Sequence, residues 1–410
     1  MTEFIVASLL IFITYFFLII KFDYLRNILT LVLLTRLLLL VINNFFFYLL
    51  DADKDGLNFY KVMLDPSTSG SADLIFADVY FYSKILNYVF KIFEPNIYLA
   101  QSFSICFCLI SCILFYKLVN FFSEDRKTSL ILTAIFSFFP AYMNYSILTM
   151  REVFIIFFLM LTTYSFIKIY FENNNKYLVY FILCFFSLFV LHGGTLVGYF
   201  FLLTLILIKW FRYFIVRLIR DKRLNIFLIV LMITLSFTVT IPIIDTGFSI
   251  PYLRDLSLKE SLNFNLIDTN LKIQYISNRS PKSSFPIFLI PENNLEFIFL
   301  FIPRYIYFQF APLFMPITDI KFYVVILVDS LPYLLLVIMI IKNYKIIFKD
   351  KKFLIILFLF LILSFTFTVG TFNIGQSVRH RVKFLIFLLI LITPIIKKIA
   401  NHENINFRKK

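Results

Sequence analysis

Charge is scarce in this sequence. Asp, Glu, Lys and Arg make up 15% of its 410 residues, against 61% hydrophobic residues, and the mean hydropathy is +0.89. That composition excludes a water-soluble fold, which could not hide so much apolar surface, and leaves a bilayer as the solvent. Cysteine and histidine are scarce as well. Cys106, Cys108, Cys112 and Cys184 all fall inside apolar runs, at spacings that suit neither zinc nor a disulfide framework. They read as packing residues, and no metal or other cofactor is expected. The alternating pattern of an outer-membrane barrel is missing, and so is a strong internal repeat of the kind that builds duplicated transporters. The first apolar run, Phe4 to Ile20, has no basic flank before it and no small-residue cleavage site, so it is expected to stay as a helix.

What is present is a series of long apolar runs. A span needs about 20 apolar residues to cross about 30 Å of hydrocarbon, and a helix satisfies its own backbone polar groups there. Runs at 3–21, 27–49, 97–119, 128–147, 152–171, 177–192, 195–210, 224–245, 322–341, 353–371 and 384–398 meet or approach that length. The expectation is an all-α, polytopic membrane bundle of about 11 transmembrane helices plus interfacial or re-entrant helices, forming one transmembrane domain over 1–410. The net charge of +15 does not point to nucleic acid, because the basic residues sit between apolar runs. Lys21 and Arg26, Arg126 and Lys127, Lys176, the cluster from Lys209 to Arg223, the segment Lys342 to Lys352 and the tail from Lys397 all fall on one side of the alternation. The positive-inside rule makes that side cytoplasmic, with the N-terminus outside and the C-terminus inside.

Two long segments, 50–96 and 245–321, then face outside. The first opens on acids, passes through the turn-rich Asp65-Pro66-Ser67-Thr68-Ser69-Gly70 and continues into an amphipathic run, Phe76 to Phe93, expected as an interfacial helix. The second ends in Leu295 to Phe314, apolar but interrupted by Pro303-Arg304 and Pro312, which reads as an interfacial or re-entrant helix.

The unusual polar residues gather on that outer side. Asp51, Asp53 and Asp55 stand in the string Asp-Ala-Asp-Lys-Asp-Gly; Arg151-Glu152 and His192-Gly193-Gly194 occupy short turns. Arg304 lies in the interrupted helix, and Arg379-His380-Arg381 lies in the last turn. Each has a bland reading. The acidic string equally describes a solvated turn, and it lacks the Glu that an EF-hand carries at its twelfth position. A lone Arg at a helix end snorkels to the interface, and the glycines beside His192 equally serve close helix packing. The Arg-His-Arg triplet resists such a reading, because cations on the outer side oppose the charge bias and call for an anionic partner. Two charges lie deeper, Arg36 and Asp329, which either line a cavity or, as is expected here, form a structural pair.

Guanidinium groups make bidentate, permanently charged contacts with phosphate. A diphosphate-linked lipid fits both an apolar bundle and such a headgroup site. The acids and His380 then have a task as proton acceptor for an attacking sugar hydroxyl, while cations stabilise the departing phosphate.

The chain resembles the membrane glycosyltransferases of the GT-C type. The likeness consists of an acidic first external loop, an interfacial helix, and the run Leu130 to Ile169, in which Phe138-Phe139-Pro140 is followed by Thr149-Met150-Arg151-Glu152. Within that group it is most similar to O-antigen and exopolysaccharide polymerases, through its size, its Phe/Ile/Leu-rich spans, its large external loop and its outward-facing arginines. The resemblance implies polymerisation of undecaprenyl-diphosphate-linked oligosaccharide repeat units at the periplasmic face of a bacterial inner membrane. Arg151, Arg379, Arg381 and Arg304, with His192, would hold the diphosphate. His380, Asp51 or Asp53 would be the base. The implied partners are the lipid-linked oligosaccharide and membrane lipid, with a chain-length regulator as a further candidate. Two alternatives stay open: a same-fold transferase adding one sugar from a polyprenyl-phosphate donor, and a flippase for the same lipid, against which the long segment 245–321 counts. A membrane acyltransferase is disfavoured because the early spans hold no histidine to activate a hydroxyl.

Overall fold

The computed structural model describes residues 2–49, 51–69, 80–93, 96–218, 285–286, 289, 294–314, 320–369, 371 and 373–407. Among them the regular structure is helical, as expected of an all-α bundle. In chain order the helices are α1 (Thr2–Lys21), α2 (Arg26–Phe45), α3 (Leu57–Leu64), α4 (Phe81–Phe90), α5 (Ile97–Ser123), α6 (Arg126–Ser137), α7 (Pro140–Tyr145), α8 (Glu152–Tyr170) and α9 (Leu178–Leu191). They continue as α10 (Leu196–Leu218), α11 (Asn294–Phe310), α12 (Ile320–Val325), α13 (Leu331–Lys342), α14 (Tyr344–Lys349), α15 (Lys351–Val369), α16 (Ile374–Leu391) and α17 (Thr393–Phe407).

Seven of the described stretches are long and apolar enough to cross a membrane: Phe4–Lys21, Asp23–Phe45, Ile97–Ser123, Glu152–Tyr170, Gly193–Arg212, Phe322–Lys342 and Lys351–Val369, with a shorter apolar helix at Asn175–Leu191. The remaining expected spans differ for physical reasons. The run 128–147 breaks after Ser137, because Pro140 has no N–H to continue a helix and instead opens α7 at the first-turn position. The run 384–398 is divided between α16 and α17 at Ile392, and α16 starts earlier, at Ile374, carrying Arg379, Arg381 and Lys383 into the bundle. The run 224–245 and most of the segment 245–321 lie outside the described residues. The amphipathic helix in the first long segment is α4, and residues 76–79 lie outside the described ones. Pro303 does not interrupt α11, which runs through it and stops at Phe310, short of Pro312.

The layering follows from burial. In α5 and α8, 72% and 67% of the most apolar window is buried, against 17% in α1, so α5 and α8 are inner helices and α1 presents most of its surface outward. α1, α6 and α8 pack on α5; α9 and α10 pack on α8; α15 packs on α16. α16 is the central element, buried almost continuously from Ser377 to Leu391 and touching α5, α6, α7, α8, α11 and α13. Local signals set several ends. Asn96 caps α5 by accepting from Tyr98 N (2.8 Å), and Asp125 caps α6 by accepting from Thr128 N (2.8 Å).

Among the described residues, the closest helix approach that a glycine permits is between α10 and α15. A Cβ at Gly198 would lie 2.8 Å from Leu363 Cδ2 and 3.0 Å from Leu359 Cδ1. Small residues let membrane helices pack this tightly. Gly198→Val is expected to destabilise the protein by about 1–3 kcal/mol through overpacking. Thermal unfolding of the detergent-solubilised protein reads the effect, and an unchanged midpoint would contradict the contact.

The deep charges do not form the expected pair. Arg36, fully buried, donates from Nε to Ser146 Oγ (2.8 Å), from Nη1 to Thr35 Oγ1 (3.3 Å) and from Nη2 to the carbonyl of Ser137. The break at Pro140 explains this, because the last carbonyls of α6 lose their intrahelical partners and a guanidinium supplies donors for them. Asp329 pairs instead with Arg381.

Candidate functional site

One end of the bundle collects the turn after α2, the α7–α8 junction, the α9–α10 junction and the first turns of α16. Asp51 opens the first of these with φ +63°, a left-handed conformation that Asp tolerates better than most residues. The turn closes through Gly56 N donating to Asp51 O (2.9 Å), and Thr149 Oγ1 ties it to the α7–α8 junction by donating to Gly56 O (2.6 Å). The Asp51 side chain accepts from the Tyr145 hydroxyl (2.8 Å). It also lies against the start of α16, where a Cβ at Gly375 would stand 3.3 Å from Asp51 Oδ1. Glycine at 375 therefore lets a carboxylate approach the N-terminal turn of α16, where backbone N–H groups favour negative charge. Burial pushes the Asp51 carboxyl above the usual carboxylate range; the Arg379 guanidinium and the Tyr145 hydroxyl pull it back.

Arg379 is the hub. It pairs with Asp55 and lies 3.6 Å, Nε to Oε1, from Glu152. One turn further along α16, Lys383 Nζ sits 3.8 Å from the same Glu152 oxygen and 3.0 Å from His380 Nδ1. Residues four apart share a helix face, so Arg379 and Lys383 bracket Glu152, which the first turn of α8 buries at its N-terminus. His380 turns toward a pocket of rings, its centroid 4.7 Å from Phe367 and 5.6 Å from His192. Arg151 donates from Nη1 to Leu191 O (2.5 Å), a terminal carbonyl of α9, and its Cζ lies 6.0 Å from the Phe59 ring centroid. The formal charges of Arg151, Arg379 and Lys383 match those of Asp51, Asp55 and Glu152, which makes such deep placement tolerable.

Asp51, Arg151, His192, Arg379 and His380 thus come together. Arg381 and Arg304 do not join them. Two residues on a helix are about 200° apart, so Arg381 faces away from Arg379. It pairs with Asp329 and donates from Nη1 to Gln309 O (3.0 Å) and Ala311 O (2.6 Å). Arg304 donates from Nη2 to Val369 O (3.1 Å) and Thr368 O (3.4 Å), so it caps α15. The side chain of Asp53 lies outside the described ones. Glu152 and Asp55 stand in the sequence only as members of the outer acidic residues, and nothing there singles out Tyr145 or Lys383; the available signal for Lys383 is its spacing of one turn from Arg379. Two histidines face each other here, yet among the described residues no group of three or more His, Cys, Asp or Glu is placed to hold a metal ion.

Fold and composition define a multi-pass helical membrane protein with a buried polar cluster at one end. No family model matches the chain, and neither a curated protein nor a solved structure is similar to it.

Proposed function

We propose that this protein polymerises undecaprenyl-diphosphate-linked oligosaccharide repeat units at the periplasmic face of a bacterial inner membrane. The observation that carries the reading is the way Arg379 is held. Its deep side meets Glu152, whose side chain is 2% exposed, while its outer side meets Asp55, whose side chain is 44% exposed. A carboxylate that open to solvent is an exchangeable partner, and a phosphate oxygen from a lipid entering at that end would take its place on the guanidinium. Arg151 and Lys383 add positive charge to the same cluster. In the reaction, the terminal sugar hydroxyl of the incoming unit attacks the anomeric carbon of the growing chain. The new C–O bond forms as the bond to the diphosphate breaks, the leaving oxygen keeps the electron pair, and Asp51 or His380 takes the hydroxyl proton.

The placement of Arg381 and Arg304 outside the cluster favours one second reading. A transferase using a polyprenyl-phosphate donor handles one phosphate rather than two, and would need fewer cations. The lipopolysaccharide or capsule ladder of a deletion strain separates the readings. Polymerase loss leaves single repeat units on the surface and restores the ladder on complementation, whereas loss of a single-sugar transferase preserves polymer length and removes one sugar. A strain displaying no units would point to the flippase alternative.

A further inference from the structure

The opposite end of the bundle carries a second polar feature. The last turns of α5 and α8 and the loop after α1 enclose a cleft of about 300 Å³, lined by Tyr24, Tyr116, Tyr164, Lys117, Lys168 and Glu172 among others. Glu172 is committed to Lys168, with both oxygens 2.7 Å from Nζ. Lys117 has no carboxylate in ion-pair range among the described residues, and its charged neighbours are the cations Lys21 and Lys168. Instead its Nζ stands 5.1 Å from the Phe22 ring centroid, on which Lys21 also rests at 5.8 Å, and the guanidinium of Arg126 lies 5.7 Å from the Tyr24 ring centroid. Lys117 and Lys168 thus line the cleft beside one carboxylate that is already paired, and Lys21 and Arg126 stand at its rim, where the nearby Asp125 is engaged in capping α6.

The positive-inside rule alone explains basic loops, but it does not explain this arrangement. Lys117 and Lys168 stand inside the last two turns of their helices rather than in a loop. The three apolar stretches Phe4–Lys21, Ile97–Ser123 and Glu152–Tyr170 all end beside the cleft, which sets it at headgroup depth. Tyrosine walls suit that depth, apolar on one side and polar at the tip. Below it, α1 exposes Ile13, Phe16, Phe17 and Ile20, an outward apolar strip along which acyl chains can lie.

We propose that this cleft binds the phosphate headgroup of an anionic membrane lipid, with Lys117, Lys168, Lys21 and Arg126 around the phosphate and the acyl chains along α1. Basic pockets between membrane helices on the cytoplasmic side are suited to this chemistry. The site lies at the other end of the bundle from the polymerase cluster and does not depend on that reading.

Native mass spectrometry of the full chain in detergent tests it, with phosphatidylglycerol, phosphatidylcholine and inorganic phosphate as separate additions. The wild-type protein should retain phosphatidylglycerol in preference to phosphatidylcholine. Lys117→Gln/Lys168→Gln should weaken phosphatidylglycerol binding about thirtyfold, given the contribution of each basic residue near a lipid surface. Removing the same charge from the exposed Lys345 and Lys349 should leave it within about twofold, because diffuse charge at the surface is screened. Equal retention of the two lipids by the wild type, which needs no variant, overturns the proposal. So does equal weakening by the two double substitutions. Displacement of the lipid by millimolar inorganic phosphate would show that free phosphate, not a lipid, is the ligand.

Discussion

Arg379→Ala is expected to abolish long polysaccharide chains while single repeat units persist at the cell surface. The argument runs through the position of the guanidinium. It is the group through which the acids of two separate elements, the turn at Asp55 and the start of α8 at Glu152, reach the same point on α16. It is also the cation best placed to exchange an exposed carboxylate for a phosphate. Removing a preorganised donor of this kind lowers the rate by roughly 10²–10³-fold, which a ladder gel reads as loss of the upper bands. Because the substitution also leaves Glu152 less well paired, protein level must be matched by immunoblot. Arg379→Lys supplies the control, keeping the charge but losing the two-pronged geometry, and should retain short chains. Asp55→Ala should leave polymerisation intact, since it removes only the competitor for the guanidinium. A full ladder from Arg379→Ala at matched level would place the phosphate site elsewhere.

The second large effect concerns Asp329. Its carboxylate pairs with Arg381 at a point where both side chains are almost wholly buried, and the other guanidinium nitrogen is taken by the carbonyls of Gln309 and Ala311. Asp329→Ala strands a charge in the bundle and is expected to lower stability by about 3–5 kcal/mol, the usual result of removing one partner of a buried pair. The double substitution Asp329→Ala/Arg381→Met removes both charges and should recover most of that loss. Thermal unfolding in detergent measures both. If Asp329→Ala melts at the wild-type midpoint, the pair is not holding the turn before α13 to α16. The two experiments test a division of the Arg-His-Arg triplet by role: under the proposed function position 379 acts in the reaction, whereas position 381 is engaged in the packing.

That division was not legible from the sequence. Apolar runs and basic loops disclosed a multi-pass bundle, because run length and local charge are properties of the chain itself. The helix start at Asn96 is similarly local; the break at Pro140 has a local cause as well, but the apolar run 128–147 reads straight across it. What the sequence cannot express is the rotation of one helix against another. Arg379 and Arg381 are two positions apart and look equivalent in the string, yet α16 turns them toward different neighbours. Arg36 and Asp329 looked like a pair because each was a lone charge in an apolar run. The partners of Arg36 are instead two hydroxyls, Ser146 and Thr35, and one backbone carbonyl, Ser137 O, which no residue letter reports. Lys383 was hidden for the opposite reason: at the edge of an apolar run, a lysine reads as a boundary marker.

The tie from Arg36 to the α6–α7 break bears on how the chain enters the bilayer. An arginine in the middle of a membrane helix opposes insertion by roughly 2.5–3.5 kcal/mol, and the groups that satisfy this one, Ser137 O and Ser146 Oγ, are synthesised about a hundred residues later. The second helix is therefore expected to settle fully only once α6 and α7 are in place, because the interrupted helix and the deep cation satisfy each other.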